Sequence, residues 1–273
     1  MAQKLSSVWL NELTWEDVAE YLKHEDIIIL PIGSTEQHGP AGPLGLDTYV
    51  AISLAEDVAR SARVLCTPPV WFGDSSHHLG FPGTISLRLE TVRALVKDIA
   101  TSLAKHGFRN ILIINGHKSA NLPALLSVTK ELREFEMPQV FFAVIDPMKV
   151  SRGIAAQTKE AKEHHCGELE ISEIWHKYPH LIKADKLTKE APDLHRLFSP
   201  FFLDDLMGKG AGDTIDIPWT SQEQRDFAPT GSLSDSSRAS PQKGQRYHDY
   251  MVARIVEFIE WRRQHRGPIT RQP

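Results

Sequence analysis

The sequence predicts an α/β fold with a mostly parallel sheet, and three observations carry that prediction. Apolar runs recur at residues 27–30, 110–114 and 140–145, each bounded by turn residues, as strands buried on both faces are. Segments with apolar residues at helical spacing separate them, which is the alternation of right-handed parallel crossovers. Residues of metal-ligating type follow two of the runs, at the carboxyl edge where such sheets open their crevice.

Residues 14–24, TWEDVAEYLKH, open with Thr14 and an acid three residues on. This is a capping box with Asp in place of Glu, so a helix follows. The loop that leaves the first strand, GSTEQHGPAGPLGLD, carries Glu36, His38 and Asp47. If 36–38 stays extended, Glu36 and His38 point the same way. A carboxylate and an imidazole converging from one loop suit zinc, iron or manganese. Asp47 precedes a helical segment at 48–62 and serves equally as a helix cap or a ligand. Residues 64–70 predict a second strand that ends near Pro68, because the interior of a ladder does not accept proline.

The next stretch, WFGDSSHHLGFPGTIS, is a long loop, and long loops in compact domains are usually functional. The functional reading sets His77 or His78, with Trp71 or Phe72, over the mouth of the site; the bland one is a packed Ω-loop. Residues 90–106 predict a helix, apolar at Val92, Leu95, Val96, Ile99 and Leu103 and ended by Gly107. The third strand terminates in Asn115-Gly116-His117, which brings His117 to the same edge as Glu36 and His38. A helix at 122–135 and a fourth strand ending at Asp146 continue the pattern.

In HHCGELEISEIWHKY, acids in a helix's first turn are favoured by its unpaired N–H groups. That accounts for at least one of Glu168, Glu170 and Glu173, but not for the adjacent His164 and His165. Residues 186–237 read as an irregular excursion, an oligomer contact or a lid. The stretch 241–263 predicts a long amphipathic helix with Tyr247, Tyr250, Met251, Ile255, Phe258 and Ile259 inwards, and its Trp261-Arg-Arg-Gln-His-Arg end reads as a solvated basic terminus.

Bulk properties narrow the function. At 273 residues with no break in composition, one domain over 1–273 is expected. A net charge of −4 with dispersed Lys and Arg argues against nucleic acid. No apolar run has the length of a membrane span and the N-terminus lacks a targeting core, so a cytoplasmic protein is expected. Cys66 and Cys166 form neither a CxxC pair nor a disulfide framework, and Cys66 reads as core. Gly-x-Gly-x-x-Gly, Walker and Gly-x-Ser-x-Gly sequences do not occur, which leaves nucleotide-binding and serine-hydrolase readings without support. Thirteen histidines, in clusters, raise the prospect of a metal or acid–base site.

Glu36, His38, Asp47, His117 and one or more of His164, His165, Glu168 and Glu170 thus converge on one edge. Their order resembles the creatininase (creatinine amidohydrolase) superfamily. The resemblance lies in GSTEQHGPAGPLGLDT, FPGTIS, INGHKSAN, HHCGELEIS read against His-x-Gly-Glu-x-Glu-x-Ser, and more loosely TGSLSDSSRASPQKG. It implies a three-layer α/β/α sandwich, one or two divalent metals per subunit, and a homohexamer acting on a small molecule. Zinc is the first expectation, manganese or iron the alternatives.

Carried over residue by residue, Glu36 and His117 resemble ligands of a first metal, His38 a ligand of a second, and Asp47 the bridge. Creatinine-hydrolysing members have a glutamate where this chain has Ser119. The resemblance therefore leaves Glu168, or alternatively Glu170, to complete the second site, and creatinine is not expected as substrate. It also implies His165 as proton donor, with Glu168 beside it in the catalytic set and helix capping as the plain alternative for His165. His77, His78, Lys118 and Ser119 are expected to face the substrate, although Lys118 equally suits solvent. The reaction class so implied is attack of metal-activated water on the carbonyl of a small cyclic amide or formamide. The alternatives are hydrolysis of a C–C bond in an oxidised cyclitol, or a non-catalytic metal-binding oligomer.

Overall fold

The computed structural model describes residues 6–208 and 214–267. Residues 1–5, at the N-terminus, and 209–213, within the excursion, lie outside the described residues, as do 268–273.

Thr14 caps α1 (Trp15–Tyr21) through the reciprocal bonds with Asp17 that the sequence predicts. The buried strand β1 (Ile27–Ile32) follows. Helix α2 (Leu46–Ala62) starts two residues before the predicted position, which draws Asp47 into its first turn. Strand β2 is only Leu65–Cys66, since Pro68 and Pro69 cannot donate to a ladder. Helix α3 (Leu89–His106) closes on Gly107 in the left-handed region, and β3 (Asn110–Asn115) follows.

Helix α4 (Lys118–Glu131) starts four residues earlier than predicted, with His117 as its N-cap and Pro123 inside it. A π-helical turn, Leu132–Glu136, extends it towards β4 (Phe141–Ile145). Two short helices, α5 (Pro147–Val150) and α6 (Arg152–Thr158), precede α7 (Glu168–Lys177). The excursion holds α8 (Leu194–Leu197) and α9 (Ser221–Phe227), and α10 (Pro241–Gln264) closes the fold.

The four strands are all parallel, in the order β2-β1-β3-β4. Successive strand residues face opposite layers. Ile27, Ile29, Leu112 and Ile114 pack under α2, α7 and α10. Ile28, Leu30, Ile32, Ile111 and Ile113 pack under α3 and α4. Burying each of these side chains contributes ~1.5–3 kcal/mol, and a helical layer on each face makes the predicted three-layer sandwich. Cys66 is core, as expected. Among the described residues no helix is long and apolar enough to cross a membrane.

Two sequence expectations need revision. The excursion has its own small core, in which Leu194, Phe202, Ala228 and Leu233 pack with Phe198, Ile217, Trp219 and Phe227. Sparse aromatics, not periodicity, hold it, which is why no regular pattern announced it. The basic end of α10 is not simply solvated: Arg262 is buried, with its Nε donating to Asn110 Oδ1 at 2.6 Å and its guanidinium 4.2 Å from the Phe141 ring centroid.

Helix α2 approaches β3 closely at Gly116, where a Cβ would stand 1.9 Å from the Asp47 carbonyl oxygen. Gly116→Ala must push the first turn of α2 away from His117. It is expected to cost about 1–3 kcal/mol by overpacking, measured by chemical denaturation, and to weaken metal binding in the same protein.

Candidate metal centre

The loops that leave the carboxyl ends of β1, β2 and β3 meet the turn before α7, and nearly all the predicted side chains converge there. Asp47 Oδ2 lies 2.9 Å from His117 Nδ1 and accepts from Ser34 Oγ at 2.5 Å. Glu36 Oε2 lies 3.2 Å from His117 Nε2, but that nitrogen donates instead to the Asp74 carbonyl at 2.7 Å. Glu36 Oε2 is thereby left buried without a hydrogen-bond partner. His38 Nδ1 donates to the Glu36 carbonyl at 3.2 Å, and its Nε2, 3.3 Å from Asp47 Oδ1, is also buried and unpartnered. Backbone carbonyls therefore orient both rings, presenting Nδ1 of His117 and Nε2 of His38, as metal-ligating imidazoles require. Donor atoms of Glu36, Asp47 and His117 form one compact set, and those of His38, Asp47 and Glu170 a second that shares Asp47. Two unpartnered donors and the oxygen–nitrogen chemistry of both sets fit a divalent cation.

The electrostatics agree. Burial alone would depress His117, but the Glu36 and Asp47 carboxylates beside it raise it to about 10. His38 is raised to about 9 against burial, chiefly by Asp47. Burial pushes Glu36 up to about 7 although His117 opposes it. For Asp47 the two imidazoles outweigh burial and hold the carboxyl well below its usual range. Without a cation, protons on the two histidines neutralise the carboxylates.

Glu168 and Glu170 part company. They sit two positions apart on a helix, and so point to different sides. Glu170 faces the site: its Oε2 lies 3.8 Å from His38 Nε2 and accepts from the Cys166 N–H at 2.6 Å. Glu168 faces away, accepting from the Glu160 and Ala161 N–H groups at 2.8 and 3.0 Å and pairing with Lys243. Against the expectation, Glu168 is turned away from the donor cluster, and its alternative, Glu170, is the carboxylate that faces it. Glu163, which the sequence reading passed over, caps the same helix by accepting from the Leu169 and Glu170 N–H groups at 3.0 and 3.1 Å.

His78, at the cavity wall, reaches Glu36, with Nε2 3.3 Å from Oε1. Its tautomer follows from two glutamines. Gln37 Oε1 accepts from the Gly39 N–H, so Gln37 Nε2 donates, to His78 Nδ1 at 2.9 Å and to the Gly231 carbonyl at 3.0 Å. Gln224 Oε1 accepts from Trp219 Nε1, so Gln224 Nε2 also donates to His78 Nδ1. His78 Nε2 thus carries the proton and aims it at Glu36. With both Gln37 protons committed, His165 Nε2–H donates to the Gln37 carbonyl at 2.7 Å, leaving Nδ1 3.6 Å from Glu36 Oε1. Burial, then the nearby His38, keeps His165 well below its usual range.

A cavity of about 110 Å³ opens over these groups, with His77, His164, Lys118, Ser119, Met207 and Trp219 among its walls. Lys118 points inwards and pairs with Glu170, not with solvent. His77 packs edge-on to Trp219, and His164 stacks on Phe202, so the excursion closes the cavity with its own aromatics. Gln37 was legible as the middle residue of Glu-x-His, whereas Trp219 and Gln224 carry no local signal.

The Creatininase family model, described as creatinine amidohydrolase, matches residues 11–259. The 3-dehydro-scyllo-inosose hydrolase of Thermotoga maritima is 31% identical over 139 residues, which span 50% of this chain and only 44% of that protein. The mycofactocin precursor peptide peptidase of Mycobacterium ulcerans is 31% identical over 242 residues, 85% of this chain and 84% of its own. Two solved structures, a creatininase mutant of Zn-Zn type and creatininase Mn, each superpose with a TM-score of 0.77 at 25% identity, covering 95% of this chain and 99% of theirs.

Proposed function

Since this chain belongs to the creatininase family, we propose that it is a divalent-metal-dependent hydrolase that opens a small cyclic amide or cleaves a formamide. The observation that supports this most is the pair of unpartnered buried donors, Glu36 Oε2 and His38 Nε2, inside donor sets joined by Asp47. In this reading Glu36, Asp47 and His117 hold a cation, zinc before manganese or iron, and His38 and Glu170 belong to the second set. A divalent cation there supplies Lewis acidity, which activates water near neutral pH and polarises a carbonyl. His78 holds the Glu36 carboxylate in place, and His77, His164 and Trp219 wall the substrate from bulk water. His165 Nδ1 is the atom that takes a proton from water and returns it to the departing nitrogen.

The reading extends to one domain over 1–273, a cytoplasmic homohexamer and a small-molecule substrate; light scattering tests the assembly. Hydrolysis of an oxidised cyclitol at a C–C bond is the second reading, favoured by the likeness to the Thermotoga inosose hydrolase. A screen of lactams, formamides and ketocyclitols with zinc- and manganese-loaded protein tests both. Turnover of none of them, with metal bound, would contradict the two together.

Metal binding is expected to release a proton, because a cation held by Glu36, Asp47 and His117 must displace the one that His117 holds up to about 10. Protonation of that ring opposes binding, so affinity falls as pH falls. Apparent affinity is expected to rise roughly tenfold per pH unit between about pH 6 and 9, read by competition with a chromophoric chelator.

A further inference from the structure

The two donor sets that share Asp47 are not equivalent. Each holds one buried donor with nothing bonded to it, Glu36 Oε2 in the first and His38 Nε2 in the second. In the second, both Glu170 oxygens are engaged, Oε1 by the Lys118 ammonium and Oε2 by the Cys166 N–H. Lys118 follows the His117 ligand as the first residue of α4, and its side chain is only 17% exposed. Of the other charged groups nearby, Glu163 is held by the amides at the start of α7.

Charge then decides the occupancy. Glu36, Asp47 and Glu170 contribute three negative charges to the two sets, and Lys118 returns one positive charge. One dication brings the sum over these four groups to zero. A second would add two more positive charges in a buried site, beside an ammonium, and uncompensated buried charge is strongly unfavourable.

Building on the metal reading above, we propose that Lys118 acts as a built-in cation of the second donor set, so that the protein binds one dication tightly through Glu36, Asp47 and His117 and a second only weakly. Lys118 is then a residue that determines metal stoichiometry, and the substrate meets one exchangeable metal beside one permanent charge.

The test is equilibrium dialysis of the chelator-stripped protein against Mn²⁺ alone, with bound metal counted by mass spectrometry and its coupling read by electron paramagnetic resonance. The wild-type protein is expected to bind one Mn²⁺ per subunit, with the uncoupled spectrum of an isolated ion. Lys118→Met should strengthen the second site by about 10- to 100-fold and produce the spectrum of a coupled pair, while Lys118→Arg stays at one. Should Lys118→Met fail to fold, Ser119→Glu adds a carboxylate at the same wall and should likewise raise the second affinity. Two comparably tight Mn²⁺ in the wild-type protein would overturn this proposal and leave the hydrolase reading standing. So would a second affinity unmoved by the variants. No tight Mn²⁺ in any of these proteins would overturn the metal reading and this inference with it.

Discussion

Replacing Asp47 with alanine is expected to abolish tight binding of a divalent cation and to lower turnover by at least about 10³-fold. Asp47 is the one residue whose oxygens enter both donor sets. It is buried at the start of α2, held by Ser34 Oγ and facing both His38 and His117. Its loss removes a donor from each set and also a charge that favours protons on the two rings. No neighbouring carboxylate is free to move in, because Glu170 is bound to Lys118 and Glu168 faces Lys243. Metal content after dialysis and the rate on the best substrate check the prediction, with circular dichroism showing that the fold persists. Retention of stoichiometric metal would place the cation elsewhere.

The second large effect is expected at His165. His165→Ala should lower turnover by about 10²- to 10⁴-fold and leave metal content unchanged. The separation follows from geometry: the His165 Nδ1 contact with Glu36 is 3.6 Å, and Glu36 keeps its bond from His78 when His165 is gone. A non-catalytic metal-binding protein would show no turnover to lose. Loss of the metal together with the activity would instead make His165 a ligand, since its ring nitrogen also lies within reach of Glu36 and His38.

The sheet was readable because its strands are buried on both faces, which makes 27–32, 110–115 and 141–145 nearly continuous apolar runs. The loops that carry the candidate ligands were readable for the same reason, as polar residues placed directly after such runs. What the chain order hid was orientation. Choosing between Glu168 and Glu170 needs the helical phase of α7, set by its packing under α10 and by the Glu163 cap, and neither is local to the motif. The role of His78 depends on Gln224, 146 residues away. The excursion that brings Gln224 and Trp219 to the site is held by scattered aromatics instead of a repeating pattern. Lys118, left open between solvent and substrate, has its answer in Glu170, a residue 52 positions further on.

Anomalous diffraction from crystals of the protein grown with zinc locates the cation itself. A peak bonded to Glu36, Asp47 and His117 Nδ1 is expected, at separations of about 2.0–2.2 Å. A map with zinc bound only at other residues, and no peak among these three side chains, would contradict the metal reading.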